Sequence, residues 1–398
     1  MSTGHTRVGL WMIVSATDKK IFCRRLYFIG GLDPRGPKAI HRIWAEQAPL
    51  QAQVSGGTIK VGRLSVQEEL RATCTIEFER GQRRAQTEII QLRWDDLVRR
   101  WWRRGVWSVM ASVPGSCWRL MRSGVYGLAR REARPMFYSL LLPPLVVGLL
   151  LALVAGGAGL ASVFHPLLSP VVGLVGLGVM ARIWGMIDRK VGLNWLTQCL
   201  YYMRFGGSRE LVERKARAQV FAQYLIDAVD RADVDEVVLV GFSLGANEAF
   251  RALGLALDQR PDLGQGRTKL SLVVVGQLCA SYGLVGGDHS FASGRQRVAE
   301  ARAVSVINVT SASDPASGCT LSPLLGVRGV EPDRVINRQP RFHKLLSPKR
   351  FAAIRRDPLA FHFQYMHATD VAGDYDWFDL ICGPSPLSAP APSLPRAA

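Results

Sequence analysis

The stretch "VDEVVLVGFSLGANEAF", residues 234–250, decides the fold of this chain. Its first half, "DEVVLVGF", is a short and continuously apolar run, which is typical of a strand buried on both faces of a parallel sheet. The residues that follow directly, "LGANEAFRALGLAL", predict a helix. A buried strand that passes straight into a helix is the building unit of α/β proteins, so this stretch predicts an α/β domain.

The segments around this stretch repeat the same alternation of strand and helix. Downstream, "KLSLVVVGQ" and "VSVINVTSASD" predict buried strands, separated by the helix "GRQRVAEARA". Upstream, "SRELVERKARAQVFAQYLIDAVDRA" predicts an amphipathic helix with Ser208 as N-cap. The N-terminal part predicts one helix, "GPKAIHRIWAEQA", and several strands: "VGLWMIVSA", "RRLYFIGG", "TIKVGRLS", "ATCTIEFE" and "QTEIIQLRW". The predicted fold class is therefore α/β, with a mostly parallel sheet flanked by helices.

An uncharged internal segment interrupts this pattern. Residues 136–181 contain no Asp, Glu, Lys or Arg. One membrane crossing needs about 20 apolar residues, so a run of this length suits two crossings, joined by a turn near "FHPLLSP". Because the segment is internal, it is not a cleavable signal peptide. The alternative is a pair of helices buried inside a soluble protein.

The charges next to this segment suggest an orientation. The chain has 50 Lys and Arg against 32 Asp and Glu, and basic clusters flank the segment as "ARREAR" and "RIWGMIDRK". By the positive-inside rule both flanks are expected on the cytoplasmic side. Residues 93–134, rich in Trp and Arg, fit a helix in the lipid headgroup layer. Two alternatives remain for this segment: an ordinary amphipathic surface helix and a nucleic-acid-binding segment. Of the possible partners, the lipid bilayer is expected and nucleic acid is not.

These segments divide the chain into five parts. An N-terminal part of the α/β domain, a juxtamembrane segment, a transmembrane hairpin, a C-terminal catalytic part and a disordered tail are predicted at 1–92, 93–134, 135–186, 187–383 and 384–398. The chain has seven cysteines and none of them forms a CxxC pair, so neither a disulfide framework nor a zinc site is expected. No metal or organic cofactor is implied.

A five-residue pattern lies inside the opening stretch. Gly241, Ser243 and Gly245 match G-x-S-x-G, between the predicted strand and the predicted helix. This is the context of a nucleophile elbow, where glycines allow a sharp turn that exposes the serine hydroxyl. By these residues the sequence resembles the α/β-hydrolase superfamily.

The resemblance extends to a group of bacterial membrane-anchored α/β-hydrolase-like proteins. It is carried by "GGLDPRG", "LRWDDLVRRWW", the elbow, "HFQYM" and "GDYDWFDLICGP", in this order from about Tyr27 to Pro384. It implies an architecture in which a hydrolase fold contains an inserted membrane hairpin.

The superfamily orders its catalytic residues as Ser, acid and His along the chain. Asp314, just past the strand "VSVINV", is at the position of the acid, although it is also a candidate turn residue before Pro315. Asp357 is the rival acid. The resemblance selects His362 as the base, with His367 as the alternative and His343 third, because spacing alone does not distinguish the three.

An acyl-transfer enzyme also needs an oxyanion hole. The resemblance implies one backbone N–H from Leu244, and another from the loop "LYFIGGLDPRG", with Gly31 and Leu32 as donors. The usual histidine-glycine motif of the superfamily is absent there. Asp33 and Arg35 are alternatively an ion pair that shapes the loop.

Two functions follow as hypotheses. The first is a two-pass serine hydrolase of the bacterial inner membrane, with its soluble part in the cytoplasm, that cleaves an apolar or lipid-like ester through Ser243, His362 and Asp314. Its partner is the lipid bilayer. The second is a non-catalytic, membrane-tethered scaffold that keeps the hydrolase fold for partner binding. The distinguishing feature is whether one of the three histidines reaches Ser243.

Overall fold

A computed structural model describes residues 21–204 and 209–388 of the chain. The strand predicted at "VGLWMIVSA", the cap predicted at Ser208 and most of the predicted tail lie outside the described residues.

The centre of the protein is a mixed nine-stranded sheet, in the order β2-β4-β5-β1-β6-β7-β8-β9 with β3 paired to β4. The strands are β1 (Phe22–Ile29), β2 (Thr58–Val61), β3 (Ser65–Glu68), β4 (Arg71–Arg80), β5 (Arg83–Leu92), β6 (Glu236–Phe242), β7 (Lys269–Val275), β8 (Val304–Val309) and β9 (Val335–Arg338).

The two ends of the sheet differ in strand direction. From β5 through β1, β6, β7 and β8 to β9, all neighbouring strands are parallel. At the other edge, β4 pairs antiparallel with β2, β3 and β5. Only two residues, Gly81 and Gln82, separate β4 from β5. So short a connection forces the strands to be antiparallel, and the sheet is therefore mixed.

Helices surround this sheet. They are α1 (Pro37–Ser55), α2 (Asp95–Trp101), α3 (Val106–Arg122), α4 (Val125–Glu132), α5 (Arg134–Phe164), α6 (Leu168–Val191), α7 (Leu193–Met203), α8 (Arg209–Asp230), α9 (Gly245–Gln259), α10 (Cys279–Val285), α11 (His289–Glu300), α12 (Phe342–Leu345), α13 (Pro348–Ile354), α14 (Pro358–Phe363) and α15 (Trp377–Cys382), with a 3-10 turn at Gln364–Met366.

Both faces of the sheet are covered, as the apolar strands predict. Along β6, Val237 and Leu239 belong to one core cluster, whereas Val238 and Val240 belong to the other. Successive side chains of a strand point to opposite faces, so a strand without polar alternation must be buried on both. All seven residues of β6 are buried.

The uncharged segment forms two long helices, α5 and α6, joined at residues 165–167 as the turn near "FHPLLSP" predicted. Both are long and apolar enough to cross a membrane. In their most apolar windows only 22% and 11% of the residues are buried inside the protein, so they are not the core of this chain.

The Trp- and Arg-rich segment is not a single helix but three, α2, α3 and α4. One face of α3 is buried. It is formed by Val109, Met110 and Val113, which pack against α5 and α6. The opposite face exposes Trp107 and Trp118, at 45% and 59%. Leu387, inside the segment predicted as a tail, is buried, and its N–H donates to Glu236 Oε1 at 3.0 Å.

Candidate active site

Ser243 lies at the carboxyl end of β6, on the sharp turn into α9. Its φ is +55°, a left-handed conformation that non-glycine residues rarely adopt. The Ser243 N–H donates to the carbonyl of Val275 at 2.7 Å, which ties the turn to the end of the neighbouring strand. A strained residue held in this way is common at functional sites.

The two glycines of the G-x-S-x-G pattern are required by close packing. A Cβ at Gly241 would lie 2.5 Å from the Cα of Ala246, and a Cβ at Gly245 would lie 2.3 Å from the carbonyl oxygen of Gly30. Both distances are shorter than van der Waals contact, so no other residue fits without moving the backbone. The glycines thus let α9 turn back tightly between β6 and the loop after β1.

Asp314 follows β8 at the same edge of the sheet, and both of its carboxylate oxygens accept hydrogen bonds. Oδ1 accepts from the backbone N–H of Ala316 at 2.9 Å, so Asp314 is indeed a turn residue. Oδ2 lies 2.8 Å from Nδ1 of His362. Both side chains are fully buried. The turn role and the partnership with His362 are therefore combined in one residue.

The His362 ring lies over the ends of β6 and β7. It stacks against Phe242, the neighbour of Ser243, with ring centroids 5.0 Å apart. Its Cε1 lies only 2.8 Å from the position of a Cβ at Gly276. The other ring nitrogen, Nε2, is buried and has no hydrogen-bond partner within the described chain. Buried polar atoms without partners are rare and call for an explanation.

No hydrogen bond joins Ser243 to any of the three histidines in the part of the chain that the structure describes. Catalytic hydrogen bonds are often long before substrate binds, and here the candidate base atom is bonded to nothing else. His367 is engaged elsewhere, because its Nδ1 is 2.8 Å from the carbonyl oxygen of Phe363. His343 is exposed and packs edge-on against Phe351.

The rival acid Asp357 has a structural role. Its Oδ1 accepts from the N–H groups of Leu359 and Ala360, at 2.9 and 3.0 Å, and it caps the N-terminus of α14. Asp357 therefore positions the helix that carries His362, and within the described chain it makes no hydrogen bond to the histidine ring.

The predicted oxyanion loop lies against the serine. A Cβ at Gly31 would be 2.9 Å from the Cβ of Ser243 and 3.4 Å from its Oγ. Within the described residues, the backbone N–H groups of Gly31, Leu32 and Leu244 donate to no other backbone group. Asp33 and Arg35 form the ion pair considered from the sequence, with Nη2 and Oδ2 2.6 Å apart.

Two motifs that are distant in sequence meet behind this loop. Trp94 Nε1 donates to the carbonyl of Gly30 at 2.8 Å, and Arg99 Nη1 donates to the carbonyl of Pro34 at 3.1 Å. A Cβ at Gly36 would lie 2.9 Å from Asp95 Oδ2. The motif "LRWDDLVRRWW" thus fixes the conformation of the loop "GGLDPRG".

Sequence reasoning missed a residue that covers the site. Trp195, on α7 just after the apolar hairpin, lies 5.5 Å from His362 between ring centroids. Ser243 is only 2% exposed. Nothing in the local sequence marks Trp195, because its role depends on how α7 packs across the ends of the strands.

Sequence reasoning also missed a buried ion network behind the elbow. Glu248, on the first turns of α9, accepts from Arg214 Nε at 2.7 Å and from Arg251 Nε at 3.1 Å. Arg251 also pairs with both oxygens of Asp288, at 2.6 and 2.7 Å. Burial raises the pKa of the Glu248 carboxyl, but the guanidinium groups outweigh it and hold that pKa below its ordinary value.

In the described part of the chain, no cluster of three or more His, Cys, Asp or Glu side chains is arranged to hold a metal ion. No protein-family model, no curated protein and no solved structure matches this chain.

Proposed function

We propose that this protein is a membrane-anchored serine hydrolase of the α/β-hydrolase type that cleaves an acyl ester. The observation that carries the proposal is the buried pair of His362 Nδ1 and Asp314 Oδ2, 2.8 Å apart, with Nε2 of the same ring left without a partner and the ring packed on Phe242, the neighbour of Ser243. A histidine can activate a serine hydroxyl when an acid orients it through one ring nitrogen and its other ring nitrogen has no partner.

In this mechanism Ser243 Oγ attacks the ester carbonyl carbon. His362 Nε2 takes the hydroxyl proton and returns it to the leaving alcohol, while the Asp314 carboxylate accepts from Nδ1–H and stabilises the imidazolium. Water then attacks the acyl-enzyme by the same route.

The N–H groups of Leu244 and of Gly31 or Leu32 are proposed to stabilise the tetrahedral intermediate. Leu244 follows the nucleophile directly, which is where this fold takes its first donor. Gly31 brings the backbone of the loop into contact with Ser243, because it has no side chain to hold the loop away.

The hairpin of α5 and α6 is proposed to insert in the bacterial inner membrane with the sheet on the cytoplasmic side, since basic clusters flank both of its ends. Wild-type protein should then stay in the membrane fraction after alkaline carbonate. Leu153 and Leu174 are 61% and 73% exposed, so replacing both by Asp leaves the folded body intact and should release the protein. Release of the wild type under these conditions contradicts the membrane anchor.

The activity is tested by labelling of detergent-solubilised protein with a fluorescent fluorophosphonate. Wild type should label, Ser243→Ala and His362→Ala should not, and His367→Ala should label at the wild-type rate. Labelling that survives in Ser243→Ala places the reactive group elsewhere. Labelling lost in His367→Ala but kept in His362→Ala would show that His367, and not His362, is the base.

A non-catalytic scaffold is the second candidate. It is favoured by the 2% exposure of Ser243 and by the absence of a recorded hydrogen bond between Ser243 and a histidine within the described residues. If folded wild type does not react with the fluorophosphonate even in lipid nanodiscs, this second function replaces the first.

A further inference from the structure

A large groove lies between the N-terminal turns of α5 and the segment that carries His362. It has a volume of about 760 Å³, which is the size of a site for a small organic ligand. One wall is the first turns of α5, from Arg134 to Leu142, and the other is formed by α12 to α14.

The groove combines an apolar wall with unpaired positive charge. Tyr138, Leu142 and Phe351 supply apolar surface, and Arg134 and Arg355 lie along the same groove. None of its lining residues carries a carboxylate. In the described part of the chain neither arginine forms an ion pair, and Arg355 lies over the Phe351 ring, 5.9 Å from its centroid. Both guanidinium groups can therefore donate hydrogen bonds to an external anion.

The position of the groove links the membrane to the proposed catalytic pair. Ser313 and Pro315, on either side of Asp314, and Phe361, beside His362, are part of its lining. Tyr138 is 66% exposed and begins the outward apolar face of α5. The groove therefore connects the exposed apolar face of α5 with the loop and helix that carry Asp314 and His362.

We infer that the groove binds the substrate itself, and that the substrate is an anionic membrane amphiphile: an acyl chain lies along Tyr138, Leu142 and Phe351, and a phosphate or carboxylate headgroup pairs with Arg134 and Arg355. This inference rests on the proposed hydrolase function and names its substrate class. Arginine suits the role because its planar guanidinium binds phosphate and carboxylate oxygens in pairs.

Binding is measured on the Ser243→Ala variant in neutral detergent, so that the result does not depend on catalysis. The two probes are fluorescent lysophosphatidic acid and the matching fluorescent monoacylglycerol, which differ only by the phosphate. Replacing Arg134 and Arg355 by Gln together should weaken the phosphate probe about tenfold and leave the neutral probe unchanged. Tyr138→Ser should weaken both probes.

The matched control replaces Arg131 and Arg356 by Gln, which removes the same charge from exposed neighbours outside the groove lining. This control should change the affinity for either probe less than twofold. An equal loss in the control means that general surface charge, not the groove, recognises the anion. Unchanged affinity in the groove variant also overturns the inference.

Two further arms separate the remaining explanations. If inorganic phosphate at millimolar concentration displaces the probe, the site binds a free anion and the lipid assignment is wrong. If the probes bind as expected while wild type fails to react with fluorophosphonate, the groove is a lipid site and only the hydrolase proposal falls.

Discussion

Gly31→Ala is the sharpest test of how the proposed oxyanion loop meets Ser243, the proposed nucleophile. The added methyl would lie 2.9 Å from the Cβ of Ser243, whereas carbon atoms in contact prefer about 3.5–4.0 Å. Loop and serine must therefore separate by about 0.5–1 Å. A displacement of about 1 Å in an active site can cost about a hundredfold in rate, so the fluorophosphonate labelling rate should fall about 10- to 100-fold.

The cost in stability is expected to be smaller. Overpacking a tight site costs about 1–3 kcal/mol, and part of this is offset by about 0.4–1 kcal/mol because alanine restricts the unfolded chain. Neither Gly30 nor Gly31 has a positive φ, so backbone strain does not enter the comparison. Gly31→Ala should thus stay folded at room temperature, with a modestly lower midpoint of thermal unfolding.

Gly30→Ala is the matched control, because its added Cβ meets only Phe28 Cε1, at an ordinary 3.7 Å. Its labelling rate should stay within about threefold of wild type, since no contact with Ser243 changes. The assay is the second-order rate constant for labelling, with thermal unfolding followed by intrinsic fluorescence. Equal rates for wild type and Gly31→Ala would refute the proposed contact between loop and nucleophile.

Other variants test the remaining parts of the site. Ser243→Gly should abolish labelling yet unfold at a higher temperature than Ser243→Ala, because glycine relieves the left-handed strain, worth about 1 kcal/mol. Asp314→Asn should slow labelling about 10³- to 10⁴-fold, while Asp357→Ala should keep the rate and cost about 1 kcal/mol of unfolding free energy through the lost cap. Glu248→Gln should cost about 3–5 kcal/mol in a urea titration, since it leaves two buried guanidinium groups, Arg214 and Arg251, with Asp288 as their one carboxylate partner among the described residues. The pKa of Glu248 is held below its ordinary 4.5, so the contribution of Glu248 to the free energy of unfolding should be constant above that pH and fall below it. Burial lowers the pKa of His367 below its ordinary 6.5, so stability should already start to fall as pH drops through 6.5, and His367→Gln should remove this first decline.

Local patterns were sufficient for much of the chain. The strands β1, β6, β7 and β8 lie where apolar runs predicted them, because a strand buried on both faces needs such a run whatever its neighbours are. The apolar hairpin was equally visible, since an uncharged run of this length predicts two long apolar helices. The division of 93–134 into three helices was not visible, because Trp and Arg residues do not mark where a helix ends.

The candidate site was predictable only in part. The sequence by itself determined Ser243, because its strand, glycines and helix are contiguous and the strained turn is a local property. For the acid and the base, the resemblance selected Asp314 and His362, and alternatives remained for both. Only the tertiary structure decided how these residues are arranged: His362 Nδ1 lies against Asp314, Asp357 caps α14, and His367 Nδ1 lies against the carbonyl of Phe363. The physical reason is that 48 positions separate Asp314 from His362 along the chain, and their 2.8 Å contact depends on how β8 and α14 pack together, which no local pattern records.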